Sequence, residues 1–148
     1  MPQSLSSVYL HLVFSTKDRH PFLNESDLRA ALHAYLGSAS KQIDCPALAV
    51  GGVADHVHML CRFGRTVTQA DWVKEVKRVS SLWLKDRLET FAWQSGYAVF
   101  SVGAEQVERV AAYVARQEEH HRGRAFQDEL RELLKAHGQA WDERYVWD

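Results

Sequence analysis

Two short groups of residues, about 55 positions apart, have types and spacing that suit phosphate chemistry. His56 and His58 flank a valine in an apolar run, and Tyr113 and Gln117 lie four residues apart in a later run. On a strand, residues at i and i+2 share a face, so the two imidazoles can bind one divalent ion. On a helix, Gln117 follows Tyr113 by about one turn and can supply a third ligand beside the hydroxyl. The four residues can therefore place a metal ion next to a nucleophile.

A metal ion beside a tyrosine is suited to attack on a phosphodiester. The ion neutralises a non-bridging oxygen and orients the phosphate, while a nearby cation and basic side chains favour the phenolate. Attack by Tyr113 gives a 5′-phosphotyrosine and frees a 3′-hydroxyl, and the covalent bond conserves the energy needed for rejoining. No nucleotide cofactor is then required. Imidazoles favour later transition metals, but phosphate chemistry commonly uses Mg²⁺, so we expect Mg²⁺ in the cell and Mn²⁺ as a substitute in vitro.

Each group also has an ordinary structural interpretation. A His-x-His pair is short, and both histidines can be packed or solvent-facing without binding anything. Tyr113 lies at the edge of the apolar stripe of its helix, where half-buried tyrosines commonly serve packing. A metal-dependent phosphodiesterase with water as nucleophile is a further alternative, in which Tyr113 has no role. The conjunction of the two groups favours the strand-transfer chemistry.

The elements that must position these residues alternate between two periodicities. Period-two alternation predicts strands, and apolar stripes at helical spacing predict helices. The predicted strands are 6–15, 47–53, 55–63 and 93–102, and the predicted helices are 25–42, Thr66 or Thr68 to about Leu88, 105–121, and Phe126 to Ala136. This order resembles a split β-α-β, ferredoxin-like fold of the α+β class. We expect an antiparallel sheet with helices packed on one face and the other face free for a metal, nucleic acid or partner.

Length and composition favour one domain. With 148 residues and 46% hydrophobic residues, the chain can bury a sizeable core. It has neither an apolar run long enough to span a bilayer nor a signal peptide, so we expect a cytoplasmic protein that does not bind membranes. Cys45 and Cys61 fit no metal spacing and are interpreted as reduced, buried thiols.

The net charge of −1 conceals an uneven distribution. From Arg62 to Leu88 there are seven basic and three acidic residues, whereas Ala125 to Asp148 has six acidic and three basic ones. The outer face of the helix in the basic segment carries lysines and arginine. A basic surface beside the histidines is suited to a polyanion.

The segments around these residues resemble a known family. Asp55-His56-Val57-His58-Met59-Leu60 is similar to the His-hydrophobic-His (HUH) motif of the single-tyrosine transposases of bacterial insertion sequences, which include the IS200-like and the REP-associated tyrosine transposases. Segments beginning at Tyr9, Trp72 and Tyr113 match in the same order, so the resemblance spans roughly residues 8–121. It implies a transposase domain over 1–124. We expect the C-terminal helix and acidic tail over 125–148 to be part of the same domain.

The resemblance also implies specific roles. His56, His58 and Gln117 are expected to bind the metal, and Tyr113 to be the nucleophile. The residues expected to contact DNA are Lys17, Arg19, Lys74, Lys77 and Arg78. The implied partners are single-stranded DNA with hairpins near element ends and a second copy of the chain, whose tyrosine helix can complete the site in trans.

Two questions stay open at this stage. A domesticated, non-catalytic binder of structured single-stranded DNA or RNA is the alternative function, although two neighbouring strands lack its paired aromatic signature. The aromatic, acidic tail has no counterpart in the resemblance, and it can cover the site, stabilise a dimer or bind another protein. His11, His120 and His121 are interpreted as packing or surface residues, with His120 the nearer to Tyr113 on the helix.

Overall fold

A computed structural model describes residues 2–148 of the chain. The strands are β1 (Tyr9–Ser15), β2 (Ala47–Gly52), β3 (His56–Arg62) and β4 (Ala98–Val102). The helices are α1 (Ser26–Gln42), α2 (Gln69–Lys85), α3 (Val107–Ala115), the single turn α4 (Gln117–His120) and α5 (Phe126–Ala136). Short 3₁₀ turns cover Lys17–Arg19 and Ala104–Gln106.

The four strands form one antiparallel sheet in the order β2-β3-β1-β4. The inserted strand β3 separates β2 from β1, which is the arrangement of a split β-α-β fold. The predicted α+β class and ferredoxin-like antiparallel sheet are therefore confirmed. β3 lies near the middle of the sheet, with the Cα of His58 opposite Val13 of β1 and opposite Gly51 of β2.

One face of the sheet carries the two long helices, as expected. Alternate residues of β1 and β3 on this face pack against α1 and α2 in a core that is fully buried at most positions. Its members include Leu12, Phe14, Leu36, Val57, Met59, Trp72 and Val76. The helix α2 begins where predicted, since the Thr68 hydroxyl accepts a hydrogen bond from the backbone N–H of Asp71 at 3.1 Å.

The second face of the sheet is also covered, and the expectation that it is open to a partner is wrong. α3 packs on β2 and β3 through Val114, which contacts Leu60 in a small buried cluster. α5 covers Val13 and Phe100 on β1 and β4 with an apolar stripe that includes Leu130. Val114 and α5 therefore bury apolar residues on this face that were expected to be exposed from the sequence periodicity alone.

Two predicted elements are shorter than expected. Residues 93–97 do not continue β4, because Trp93 forms only an isolated bridge with Thr16 and the next residues turn around a lysine. The Lys77 ammonium donates hydrogen bonds to the carbonyls of Gln94 and Gly96 at 2.8 and 2.6 Å. The predicted helix over 105–121 is broken at Arg116, whose ψ of 28° leaves helical geometry.

The acidic tail folds back onto the domain. The Arg131 guanidinium of α5 donates to the Glu143 carboxylate at 2.7 Å, and the ring of Trp147 lies against Phe126. The backbone N–H of Gly96 donates to the carbonyl of Asp148 at 2.7 Å. The C-terminal segment therefore packs within its own chain.

Within residues 2–148, no helix combines the length and apolarity required to cross a membrane. Cys45 and Cys61 are buried free thiols, as predicted, and burial raises the pKa of the Cys61 thiol to about 12.

Candidate metal and tyrosine site

Strand β3 places both histidines of the His-x-His pair on the second sheet face. His56 and His58 alternate with core residues, as the period-two pattern predicts, and both side chains are fully buried. Each imidazole has a partner at Nδ1: the Asp55 carboxylate lies 2.7 Å from that atom of His56, and Nε2 of His11 lies 2.7 Å from that atom of His58. With Nδ1 of each ring occupied by these contacts, Nε2 of each ring points towards the helices that cover this face.

α3 brings Tyr113 and Gln117 over the same strand by an unusually close approach. A Cβ atom on Gly51 of β2 would lie 1.9 Å from the carbonyl oxygen of Val114, so only glycine allows the end of α3 to rest there. The break at Arg116 then turns Gln117 inwards, where it is 1% exposed. Its Oε1 lies 3.1 Å from Nε2 of His56.

The four residues singled out by sequence thus converge within one chain. Gln117 contacts His56 directly, and the Tyr113 ring lies 5.8 Å from that of His58, centroid to centroid. The Tyr113 hydroxyl does not point to either histidine but donates a hydrogen bond to the carboxylate of Glu129. Assembly of the site in trans is therefore not needed for these residues to meet.

Glu129 is the residue at the centre of the cluster, and the sequence analysis did not select it. It lies on α5 and is 1% exposed. Its Oε1 is 3.0 Å from Nε2 of His58, 3.3 Å from Nε2 of His56 and 2.9 Å from Nε2 of His121. Oε2 accepts the hydrogen bond from Tyr113. One carboxylate thus joins the predicted nucleophile to the predicted metal ligands.

His121, rather than His120, belongs to this cluster. Its side chain is only 8% exposed, and its Nδ1 donates to the backbone carbonyl of Arg124 at 2.6 Å. The donor atoms of His56, His121 and Glu129 all lie within 4.8 Å of one another, a spacing that can hold a metal ion. The His120 ring instead lies tilted against that of Tyr113, with the two centroids 4.7 Å apart.

The buried charges in the cluster perturb each other strongly. Desolvation lowers the pKa of His58 to about 4, since its contact with Glu129 compensates only in part. Desolvation also opposes charge on His56, but contacts with Asp55 and Glu129 outweigh it and raise its pKa to about 9. Burial works against ionisation of Glu129 too, yet the imidazoles of His121, His56 and His58 hold the pKa of this carboxyl well below its usual range. The cluster therefore stabilises an anion at its centre.

The environment of Tyr113 differs from the expected one. Burial first, and then the neighbouring Glu129 carboxylate, raise the pKa of the Tyr113 hydroxyl. The prediction that basic side chains around Tyr113 favour its phenolate is wrong, because the group that contacts the hydroxyl is a carboxylate. The tyrosine is held as a phenol with a proton acceptor already in contact.

The basic residues expected to contact DNA lie in two different places. Lys17 and Arg19 follow β1 directly at the end of the sheet that carries the site, where the Thr16 N–H donates to the Asp55 carbonyl at 2.8 Å. The helix α2 lies on the opposite sheet face, so the expectation of a basic surface beside the histidines is wrong.

The three α2 residues also differ in their surroundings. Lys77 is engaged by loop carbonyls, and burial lowers its pKa to about 8. Arg78 pairs with Glu75 on the surface at 2.7 Å, and Lys74 is exposed.

Comparison with known proteins gives a consistent result. The family model described as "Transposase IS200 like" matches residues 4–117. A solved structure of a candidate transposase from Deinococcus radiodurans R1 is similar, with 20% identity, a TM-score of 0.64, and coverage of 77% of this chain and 93% of that one. A REP-associated tyrosine transposase, solved bound to a REP hairpin, has 10% identity and a TM-score of 0.61, with coverage of 96% and 90%. Among curated protein sequences, none matches the chain.

Proposed function

This chain belongs to the family of IS200-like transposases, and we propose that it cuts and rejoins single-stranded DNA through a 5′-phosphotyrosine on Tyr113. The observation that carries the proposal is the convergence of Tyr113, Gln117 and the two histidines of β3 around one buried carboxylate. A packing tyrosine has no need of that arrangement. It is what a metal-assisted attack on phosphorus requires.

The residues present fit a divalent metal ion. Nε2 of His56 and His58 and Oε1 of Gln117 are nitrogen and oxygen donors directed into the same buried space. The Asp55 carboxylate accepts from Nδ1 of His56, the kind of outer contact that fixes the orientation of a ligating imidazole. When bound there, a divalent ion would neutralise a non-bridging phosphate oxygen.

In the proposed reaction the Tyr113 oxygen forms a bond to phosphorus while the bond from phosphorus to the 3′ oxygen breaks. Oε2 of Glu129 accepts the hydrogen bond of the Tyr113 hydroxyl and orients it as the phenolic proton is lost, and the departing 3′ oxygen takes up a proton to become the 3′-hydroxyl. Rejoining is the reverse, with the 3′-hydroxyl of another strand attacking the phosphotyrosine. A hydrolase would gain nothing from a covalent intermediate of this kind.

Access of DNA to the site is proposed at the end of the sheet near Asp55. A cleft of about 400 Å³ is bounded there by Asp55, His121 and Arg122, among other residues. Lys17 and Arg19 leave the sheet at the same end and are proposed to contact backbone phosphates. Lys74 and Arg78 lie on the other face and are proposed to contribute only where a longer substrate wraps around the domain.

Hairpin recognition and a homodimer complete the proposal. The similar REP-associated transposase is bound to a hairpin, which supports a hairpin-bearing substrate for this chain. A dimer is proposed because one tyrosine can hold only one DNA end, whereas exchange of two ends requires two. Light scattering of the purified protein, alone and with hairpin DNA, measures the assembly directly.

The proposed function is tested by trapping the covalent intermediate. The protein is incubated with Mg²⁺ or Mn²⁺ and labelled single-stranded DNA that carries candidate hairpin ends, and adducts are separated on a denaturing gel. Tyr113→Phe removes only the nucleophilic oxygen, and Tyr145→Phe, an exposed tail residue, is the matched control. An adduct with wild type and the control, but not with Tyr113→Phe, supports the proposal. Tight hairpin binding without any adduct would favour the non-catalytic binder instead.

A further inference from the structure

We infer that a cleft between β4, α5 and the C-terminal tail binds one unpaired base of the DNA strand, close to the phosphate that is cut. The inference rests on the proposed function, because it assumes that single-stranded DNA reaches the site at the end of the sheet near Asp55. It gives the aromatic tail a role and adds a base-binding site to the phosphate contacts proposed for Lys17 and Arg19.

The size of this cleft suits a single base. It encloses about 290 Å³, and its bottom is formed by the buried apolar side chains of Phe100 on β4 and Leu130 on α5. The rings of Tyr97 and Trp141 also line it. Small-molecule sites commonly measure about 300–1,000 Å³, so a cleft at the lower end of that range takes one flat ring system rather than a segment of another protein.

The lining of the cleft matches a base rather than a phosphate or a charged side chain. Among the described residues that line it, none carries a charge. A base has two apolar faces that stack on aromatic rings and a polar edge that forms hydrogen bonds. Tyr97 is 42% exposed and can offer its ring, while the amides of Gln94 and Gln139 lie at the same cleft.

Hydrogen-bonding groups for the edge of a base are present in the cleft. Oε1 of Gln94 accepts a hydrogen bond from the backbone N–H of Ser15 at 2.8 Å, which holds the amide in place. Nε2 of Gln94 lies 3.5 Å from the Asp148 carbonyl, at the outer limit for a hydrogen bond, so this donor is available to a base. Since β4 is the last strand of the described sheet, part of its backbone N–H and C=O groups have no strand partner and can add to the recognition.

The cleft lies at the same end of the sheet as the tyrosine site. Ala98, the first residue of β4, is opposite Val13 of β1, and Ser15 at the end of β1 is opposite His56. Neighbouring strands are about 4.8 Å apart, so two strand spacings put the cleft about 10 Å from His56 along the end of the sheet. A DNA strand, with about 3.4 Å per nucleotide in a duplex, covers this distance with a few nucleotides.

Arg19 lies between this cleft and the one proposed as the DNA entrance. Val146 lines the former and Phe126 lines the latter. The ring of Trp147 lies 6.3 Å from that of Phe126, centroid to centroid, and the Arg19 guanidinium is 5.8 Å from the centroid of the Trp147 ring. A strand that runs from the tyrosine site to the cleft therefore passes Arg19, whose charge can contact the intervening phosphate.

The two acidic residues that follow Trp141 in the tail are already paired. Glu143 pairs with Arg131 of α5 at 2.7 Å, and Asp142 pairs with Arg144 at 2.8 Å. The ring of Trp141 is therefore presented to the cleft without two unpaired carboxylates beside it, which would repel an anionic strand.

The test measures DNA affinity and needs no cleavage, so every protein carries Tyr113→Phe. The DNA is a labelled hairpin with a short single-stranded flank, in which one base at a time is removed to leave an abasic sugar. Trp141→Ala and Tyr97→Ala remove the rings, whereas Ala140→Phe fills the cleft from an exposed position. Tyr145→Ala, an exposed aromatic of the same tail outside the cleft, is the matched control. Thermal unfolding establishes that each protein is folded.

We expect one flank position at which loss of the base weakens binding roughly 5–150-fold, the range that base–aromatic stacking gives on alanine substitution. Each cleft variant should weaken binding of the intact DNA and reduce the penalty of the abasic sugar at that position alone, because one contact cannot be lost twice. Tyr145→Ala should bind like the parent protein.

Two results would overturn the inference. One is a folded Ala140→Phe protein that keeps the affinity and the abasic penalties of the parent, and the other is a set of cleft variants whose effects multiply with the abasic penalty at every position. If Ala140→Phe changes the oligomeric state but not the affinity for DNA, the cleft belongs to a contact with a second copy, and the inference is equally refuted.

The outcome separates this inference from the proposed function. Coupling between the cleft and one flank position, with no adduct when Tyr113 is restored on the same DNA, would refute strand transfer and leave the base-binding site intact. A tyrosine-dependent adduct together with uncoupled effects would refute the base-binding site and leave strand transfer intact.

Discussion

Gly51→Ala is predicted to displace Tyr113 and Gln117 in the candidate site, because Gly51 of β2 lies against the end of α3. The added Cβ would lie 1.9 Å from the carbonyl oxygen and 2.9 Å from the carbonyl carbon of Val114. Real Cβ atoms essentially never approach within 3.0 Å of such atoms, so α3 and β2 must separate by at least about 1.1 Å. Because the obstacle is backbone, no change of rotamer can relieve it.

The expected loss of rate depends on the residues at the end of α3. A displacement of that size would break the 3.1 Å contact between Gln117 and His56 and move the hydroxyl of Tyr113 from its partner. Misplacement of reacting groups by about 1 Å can lower a rate on the order of 100-fold. Overpacking in a core typically costs about 1–3 kcal/mol, which a domain of ordinary stability survives.

The assay is the single-turnover rate of adduct formation on hairpin DNA, with thermal unfolding measured on the same samples. Gly37→Ala is the matched control, since its new Cβ would meet nothing closer than 3.9 Å and should leave the rate unchanged. Adding Val114→Ala to Gly51→Ala should not restore the rate, because the clash involves the carbonyl. A folded Gly51→Ala protein with the wild-type rate would refute the claim that this contact positions the tyrosine.

Three further substitutions test other parts of the account. Asp55→Asn should weaken Co²⁺ binding about 10–100-fold in calorimetric titration with little change in unfolding temperature, because this carboxylate contacts Nδ1 of His56, a proposed metal ligand. An equal loss of metal affinity and of stability would argue for a merely structural role. Lys77→Met should lower the free energy of unfolding by about 1–3 kcal/mol in urea titrations, because its ammonium binds loop carbonyls, and should leave DNA affinity almost unchanged. A loss of DNA affinity without a loss of stability would contradict this structural role of Lys77. Lys17→Ala combined with Arg19→Ala should weaken single-strand binding and reduce the slope of log affinity against log salt by about 0.7 for each phosphate that is no longer neutralised. Lys74→Ala should change neither the affinity nor the slope. A larger effect of Lys74→Ala than of the double variant would place the DNA on the other face of the sheet.

The sequence predicted the sheet and the β3 part of the site because both depend on local periodicity. Alternation along 56–62 determines which side chains share a face, so His56 and His58 necessarily point to the same side of the sheet. The helical spacing of Tyr113 and Gln117 likewise brought them to one flank. Their meeting with the histidines required tertiary information, and it came from the resemblance rather than from periodicity.

The contribution of Glu129 could not be derived from spacing alone, although a signal was present. Phe126, Leu130 and Leu134 define an apolar stripe on α5, and Glu129 falls within it at helical spacing. A carboxylate on the buried side of a helix is rare unless it is paired. That anomaly indicates a buried partner, but not which partner. His121 had no comparable signal, because its position depends on the turn between α4 and α5.

The remaining errors share a physical cause. Helical periodicity predicts the amphipathic faces of α2 and α5 correctly but not the sheet face on which each helix packs. The basic face of α2 was therefore expected beside the histidines, when α2 lies across the sheet from them. Similarly, the sequence pattern did not indicate the break at Arg116 or the close contact of α3 with Gly51, because both depend on how α3 packs on the sheet.

The most direct test of the central claim is the chemical identity of the trapped intermediate. The adduct is digested with nuclease and protease, the modified peptide is identified by mass spectrometry, and the released DNA strand is tested for extension by a polymerase. We predict a nucleotide joined through its 5′-phosphate to Tyr113 and a released strand that ends in an extendable 3′-hydroxyl. A nucleotide on another residue, or a 3′-phosphate linkage with a free 5′-hydroxyl, would contradict the account.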